Sequence, residues 1–216
     1  QVDHGTNFSF PFGDVYWIRM VSGALKYEPE LERLFKIIRD EDFTLIDAGA
    51  NFGYWSTRVT GGEFGSHPAI AIEPVPATFD RLKRNQELND GRFIVERAAL
   101  SDVSGQTVYL SGAGHASMSV GTSGAGQMAQ TATIDDLAAK HNIKGPVVLK
   151  LDVEGQEIGA LKGAERTLAG KSLIIYEDHG SDAKHQTSRH LLENGWNIFS
   201  IEEERPVQVS SLEQIA

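Results

Sequence analysis

The sequence predicts an α/β fold in which helices cover both faces of a mostly parallel sheet. Three observations carry that prediction. Short apolar runs recur at residues 45–46, 69–72, 146–151 and 173–176. Stretches with helical periodicity separate most of them. Each run also ends in an acid, at Asp47, Glu73, Asp152 and Glu177. Strands that alternate with helices build βαβ units, and a strand apolar throughout its length is one buried on both faces.

The elements follow in order. Residues 1–24 are rich in aromatics (Phe8, Phe10, Phe12, Tyr16, Trp17) with Pro and Gly breaks, and read as short strands or an irregular arm lying over the core. Those rings either cover a ligand or pack on the core. An amphipathic helix follows, with Leu31, Leu34, Phe35 and Ile38 on one face and Pro29 in its first turn. The first strand ends at Asp47 and hands over, through a glycine-spaced turn, to a helix beginning at Tyr54. A second strand at 69–72 leads to Glu73, and Pro76 opens a helix closed by Gly91.

A third strand is expected over 92–100 and another over 106–110. The Gly/Ser/Ala-rich residues 111–126 read as a mobile loop. Thr133 and Asp136 form an N-cap pair for a helix running to about His141. After the strand at 146–152, one helix carries Ile158, Leu161, Ala164 and Leu168 as far as Gly170. The strand at 173–176 precedes a helix at about 188–194, and short strands near 196–199 and 206–209 complete the chain. No repeat or linker divides it. Residues 1–40 form an extension or cap, and 41–216 the main domain.

Composition narrows the function. The 216 residues carry 20 basic and 30 acidic side chains, a net charge of −10. Gripping nucleic acid requires a basic face, so that class of partner is excluded. The short basic run from Arg81 to Arg84 is a solvated helix face. With no cysteine, neither disulfides nor thiolate metal sites can form, which fits a reducing, cytoplasmic compartment. No apolar stretch is long enough to span a membrane. No signal peptide is visible, although a sequence that begins at Gln1 leaves targeting open.

Ligands of open α/β sheets bind beyond the carboxyl ends of the strands, where this chain places its acids. The turn reads Asp47-Ala48-Gly49-Ala50-Asn51-Phe52-Gly53. A dinucleotide fingerprint starting at Gly49 needs glycine at 51 and 54, where Asn51 and Tyr54 stand, and no phosphate loop follows Gly53. An acid-x-Gly-x-x-x-Gly turn suits a cationic or hydroxyl-rich ligand better than a pyrophosphate. Glu73, at the end of the second strand, can accept bonds from both hydroxyls of a ribose. The residues thus indicate a nucleoside-like ligand on a Rossmann-like sheet.

The segments 46–54, 71–74, 99–102 and 133–137, with Leu149-Lys150-Leu151-Asp152-Val153-Glu154-Gly155-Gln156-Glu157 and Leu161-Lys162-Gly163-Ala164, resemble the FkbM family of S-adenosylmethionine-dependent methyltransferases. The resemblance spans about residues 42–177, and the Lys150–Gly155 run is its most specific part. It implies a class I methyltransferase sheet of seven strands, the last antiparallel. It further implies that Asp47, Gly49, Asn51 and Gly53 hold the methionine part of S-adenosylmethionine and Glu73 the ribose. Ala98 flanks the adenine on this reading, and Asp152 stands beside the methyl group and the acceptor. The acceptor is then a small molecule or glycan hydroxyl, its specificity carried by residues 1–40 and 111–126, which match no family motif.

Methyl transfer to a hydroxyl is served by alignment and by a placed base. Asp152, Glu154 and His179 are the expected catalytic residues, with Asp178 and His115 as further candidates. No metal ligand set is assigned, because the spacing of these acids and imidazoles has no diagnostic signature. Lys150, inside an otherwise apolar strand, either pairs with an acid or reaches to an edge. A nicotinamide-dependent oxidoreductase and a non-catalytic nucleoside-binding module are the alternatives.

Overall fold

The computed structural model describes residues 2–3, 5–21, 23, 26–112, 118–121, 126–153, 155–178, 184–201 and 206–214. The chain divides into two compact units, Gln1–Ile175 and Tyr176–Ala216.

The first unit opens with an irregular arm that carries an isolated bridge between Asp3 and Thr6 and one helical turn, α1 (Ile18–Val21). Helix α2 (Pro29–Ile37) has its proline at the start, where the missing N–H costs nothing. The strands and helices β1 (Thr44–Ala48), α3 (Tyr54–Val59), β2 (Ala69–Ile72), α4 (Pro76–Glu87) and β3 (Ile94–Glu96) follow. Next come β4 (Ala99–Leu100), β5 (Thr107–Gly112), β6 (Met118–Gly121), β7 (Gln127–Ala132) and α5 (Ile134–Lys140). The unit closes with β8 (Val147–Leu151), α6 (Glu157–Lys162), α7 (Glu165–Leu168) and β9 (Ser172–Tyr176).

Five strands form the main sheet in the order β3-β2-β1-β8-β9. β1 runs parallel to both β2 and β8, and β2 parallel to β3. Side chains of a strand alternate between faces, yet every residue of β2 and β8 is buried, so both faces of the sheet are covered. Strand order runs outward from β1 through β2 to β3 on one side and resumes with β8 and β9 on the other. The reversal lies between β1 and β8, and such a switch point is where open α/β sheets receive ligands.

The architecture is the expected Rossmann-like α/β sheet, with five strands among the described residues where seven were expected. The expected strand over 92–100 is two strands, because the buried positions lose their alternation at Arg97. Ala98, Ala99 and Leu100 are buried in succession, and β4 leaves the main sheet to pair with β7. β5 likewise joins β6 and β7 in a separate four-stranded sheet, β4-β7-β5-β6. The expected mobile loop over 111–126 therefore contains the end of β5 and all of β6; its residues 113–117, including His115, and 122–125 lie outside the described residues. The single helix expected over 158–169 is broken at Gly163-Ala164, since Gly163 lies against the chain at Ser101 and its carbonyl accepts from Asp135 N at 2.8 Å. The Asp135 carboxylate in turn accepts from Thr167 N at 2.7 Å, at the start of the second piece.

The aromatic arm packs on the core. Trp17 and Phe35 are fully buried with Phe52, Tyr54 and Trp55, and Phe8 and Phe10 pack against them, while Phe12 is exposed. Hydrogen bonding also docks the arm. Asn89 Nδ2 donates to Asn7 O and Asn89 Oδ1 accepts from Asn7 N, at 2.7 and 2.9 Å. Asn85 repeats the pattern with Ser9, at 3.0 and 2.7 Å. Four helical residues rise about 6 Å and two extended residues about 6.6 Å, so amides spaced i,i+4 match an extended arm at every second residue. Asn85 Nδ2 also donates to Phe52 O at 2.8 Å, inside the glycine turn.

The second unit contains α8 (Gln186–Glu193) and an antiparallel pair, β10 (Ile198–Ser200) with β11 (Val207–Val209). These strands pair with each other. No described helix is long and apolar enough to cross a membrane.

Asn85→Ala should cost about 1–3 kcal/mol of stability, because it leaves the buried Phe52 carbonyl and the half-buried N–H and C=O of Ser9 without their partner. Chemical denaturation measures that loss, and faster amide exchange at Ser9 marks release of the arm.

Candidate active site

β1 ends in a turn that only glycine can make at two of its positions. Gly49 has φ +78°, and a Cβ there would stand 1.8 Å from the backbone oxygen of Asp152. The ends of β1 and β8 therefore touch through backbone, which Asp152 N extends by donating to Ala48 O at 3.0 Å. Gly53 has φ +81°, and a Cβ there would meet Leu82 Cδ1 at 2.4 Å. Between them Asn51, at φ 52°, adopts the left-handed conformation that asparagine tolerates. Gly49 N and Ala50 N both donate to Ile72 O at 3.0 Å, which ties the turn to the end of β2.

The carboxylates gather around this turn. Glu73, just past β2, is 6% exposed and accepts from Asn51 N at 3.1 Å and Val75 N at 2.9 Å. Burial pushes its carboxyl up to about 7 against those two bonds, with Asp47 and Asp152 adding to the rise. Asp47 is buried and accepts from Ser56 through both N and Oγ, at 3.2 and 2.7 Å. Burial raises its carboxyl too, opposed by Lys150 and Ser56. Lys150 is its register partner on β8. Of the two readings of that lysine, pairing with an acid is what forms: Nζ lies 3.3 Å from Asp152 Oδ2, with Lys150 6% exposed. Burial disfavours its charge, but Glu28, Asp152 and Asp47 outweigh burial and hold the ammonium above the usual lysine range.

The structure thus brings Asp47, Gly49, Asn51, Gly53, Glu73 and Asp152 together at the carboxyl ends of β1, β2 and β8. Ala98 is buried just past β3, one strand further along the sheet. Glu154 and His179 lie outside the described residues. Within the second unit, Asp178 holds a different imidazole: His185 Nδ1 lies 2.9 Å from Asp178 Oδ1, and Ser188 Oγ donates to Asp178 Oδ2. Tyr176 OH lies 2.8 Å from the same Ser188 Oγ. Nothing in the sequence marked His185, which stands at φ 46° before α8. Glu28 was also missed. Its Oε2 accepts from Trp55 Nε1 at 2.5 Å, although it precedes β1 by a whole helix.

A family model described as a methyltransferase FkbM domain matches residues 47–204, most of the chain. The chain belongs to the FkbM methyltransferase family. Hexuronic acid methyltransferase AglP of Haloferax volcanii is 33% identical over 170 residues, covering 76% of this chain and 67% of that protein. Among solved structures, methyltransferase FkbM from Methylobacillus flagellatus KT matches with a TM-score of 0.51 at 21% identity. That match covers 70% of this chain but 37% of the other, and it establishes the fold. Membership in the FkbM family makes the protein a methyltransferase and decides against hydride transfer.

Two outcomes follow from the geometry. Gly49→Ala should abolish the turn, read as several degrees lost in thermal melting, since a buried backbone contact cannot yield to a Cβ. Glu73, whose folded carboxyl is raised, lends stability that is fully present below the ordinary glutamate range and is lost as pH rises through about 7. That loss should approach about 3 kcal/mol between pH 5 and 8 in ligand-free protein. Glu73→Gln should remove it, as measured by denaturant midpoints across that range.

Proposed function

We propose that this methyltransferase moves a methyl group from S-adenosylmethionine to a hydroxyl of a sugar, in a glycan or a small-molecule acceptor. One observation carries the donor assignment. Among the described residues the buried Glu73 carboxylate accepts only two bonds, both from backbone N–H groups that fix its direction. A carboxylate has about four acceptor positions, so two remain for a pair of hydroxyl donors such as those of a ribose. The adjoining glycine turn lets the backbone approach a ligand closely, and the acid set suits a ligand whose other end carries ammonium and sulfonium charge. The residues present therefore fit the donor.

On this reading Asp47, Gly49, Asn51 and Gly53 hold the amino-acid end, Glu73 the ribose and Ala98 the adenine edge. Bound S-adenosylmethionine supplies an electrophilic methyl group. The protein aligns the acceptor oxygen with it, and alignment contributes on the order of 7–11 kcal/mol to lowering the barrier. Asp152 faces the acceptor and is the proposed base, worth about 10²–10⁴-fold. Residues 1–40 act as a cap that shapes the acceptor side. The name of the relative AglP supports a uronic acid as acceptor. The cysteine-free sequence supports a cytoplasmic setting.

Mass spectrometry of uronic acids, neutral sugars and hydroxylated metabolites incubated with protein and donor should show the gain of one methylene unit in a uronic acid. Gain in neutral sugars alone would overturn the uronic assignment. Calorimetry with S-adenosylhomocysteine tests the donor separately. Glu73→Ala should weaken that binding by about 1.5–3 kcal/mol. Hydroxyl donors favour the ionised carboxylate, so binding should release a proton and tighten about tenfold per pH unit up to about 7, then level off. Its pH slope is opposite in sign to that of ligand-free stability.

A further inference from the structure

Aromatic rings of the amino-terminal arm close over the start of α3. Trp17 lies 6.4 Å from Phe52 of the glycine turn and 5.7 Å from Tyr54, tilted from each by about the same angle, 30° and 29°. Tyr27 meets Tyr54 edge-on at 5.0 Å and Trp17 at 4.9 Å. Most of these rings are accounted for by burial in the core. Tyr16 is not, because 39% of it stays exposed.

A loose exposed ring on a surface segment needs no explanation, but this one is held. It stands edge-on to Trp17 at 5.2 Å and to Tyr27 at 6.0 Å, with interplanar angles of 89° and 88°. Asp14 fixes the backbone beneath it: Oδ1 accepts from both Tyr16 N and Trp17 N, at 3.0 Å each. Of the two residues so fixed, Trp17 is buried and Tyr16 reaches solvent. A ring ordered in advance loses little freedom when a ligand settles on it, so contact area becomes affinity with small entropic loss.

The run of rings also has a direction. One end is Phe52, between Gly49 and Gly53, and the other is Tyr16, with Trp17 in contact with both. The Tyr27 hydroxyl is raised first by burial and then by Glu28, and Tyr16 and the Asp152 carboxylate both add to the rise. Tyr16 and Asp152 thus lie within electrostatic reach of one hydroxyl. The C–H face of a pyranose is apolar and slightly positive, and it matches the negative face of an aromatic ring.

We propose that Tyr16 is the platform of the acceptor subsite, on which the C–H face of the sugar rests while the hydroxyl to be methylated points toward the donor. The inference rests on the proposed sugar acceptor. Residue 16 lies ahead of residue 47, where the family match begins, so donor turn and platform come from different parts of the chain. A flat ring reads shape rather than charge, and a uronic acid and a neutral pyranose should both rest on it.

The test uses the full chain with Y16A, Y16L and Y16F. With S-adenosylhomocysteine present, saturation-transfer NMR on glucuronic acid and glucose should carry magnetisation from aromatic protons to the sugar C–H groups, in the parent and in Y16F. Y16A should lose that transfer, and so should Y16L, which keeps apolar bulk against Trp17 and Tyr27. In turnover of the uronic acid, both should raise the sugar KM roughly tenfold or more and leave kcat within about threefold. Affinity for S-adenosylhomocysteine should stay within about twofold in every variant. An unchanged sugar KM in Y16L, or no transfer from the parent to either sugar, would overturn the proposal. So would an equal loss of S-adenosylhomocysteine binding in Y16L, which marks a packing role. Failure of the parent protein to bind S-adenosylhomocysteine would instead overturn the donor assignment.

Discussion

The Lys150 ammonium is buried where β1 and β8 part, and a charge in that place can persist only if carboxylates stand close to it. That requirement organises the carboxyl end of the sheet. Asp47 reaches it as the register partner on β1, and Asp152 from two residues further along its own strand. Glu28, which precedes α2, adds to the attraction on that charge. With three acids and one base, the group as a whole carries excess negative charge.

Much of this site could be read from the sequence because it obeys local rules. A strand that ends in an acid before a glycine-spaced turn identifies Asp47, Gly49, Asn51 and Gly53, and the acid closing the next strand identifies Glu73. The Thr133 cap was legible for the same reason, and its hydroxyl accepts from Asp136 N at 3.0 Å. The misreadings arose where partners are distant. β7 escaped notice because its pattern is inverted: Met128 is 62% exposed while Ala129 and Thr131 are buried. The long third strand was overextended because apolar character continues through Ala98 to Leu100 while the pairing partner changes from β2 to β7. Glu28 and His185 both take left-handed backbone that no residue type signals, and their partners come from distant elements.

The accessory four-stranded sheet and the amino-terminal arm are where this chain adds to the parallel core. The arm is held less by apolar burial of its tip, where Phe12 is exposed, than by a pair of asparagine amides, Asn85 on α4 and Asn89 in the turn just past its end. Asn7 belongs to a sequence that resembles a glycosylation signal, yet its backbone is engaged in this docking.

Asn85 gives that arm a reach beyond its own packing. One carboxamide bonds Ser9 on one side and the Phe52 carbonyl on the other, so the arm and the glycine turn draw on a single side chain. Coupling of this kind is reciprocal: whatever orders the turn tightens the arm by the same free energy with which the arm orders the turn. Residues 7–9 are thus linked thermodynamically to events at a turn far along the chain. Because Ser9 takes part through its backbone N and O, the link would survive a change of its side chain but not a proline, which lacks the N–H.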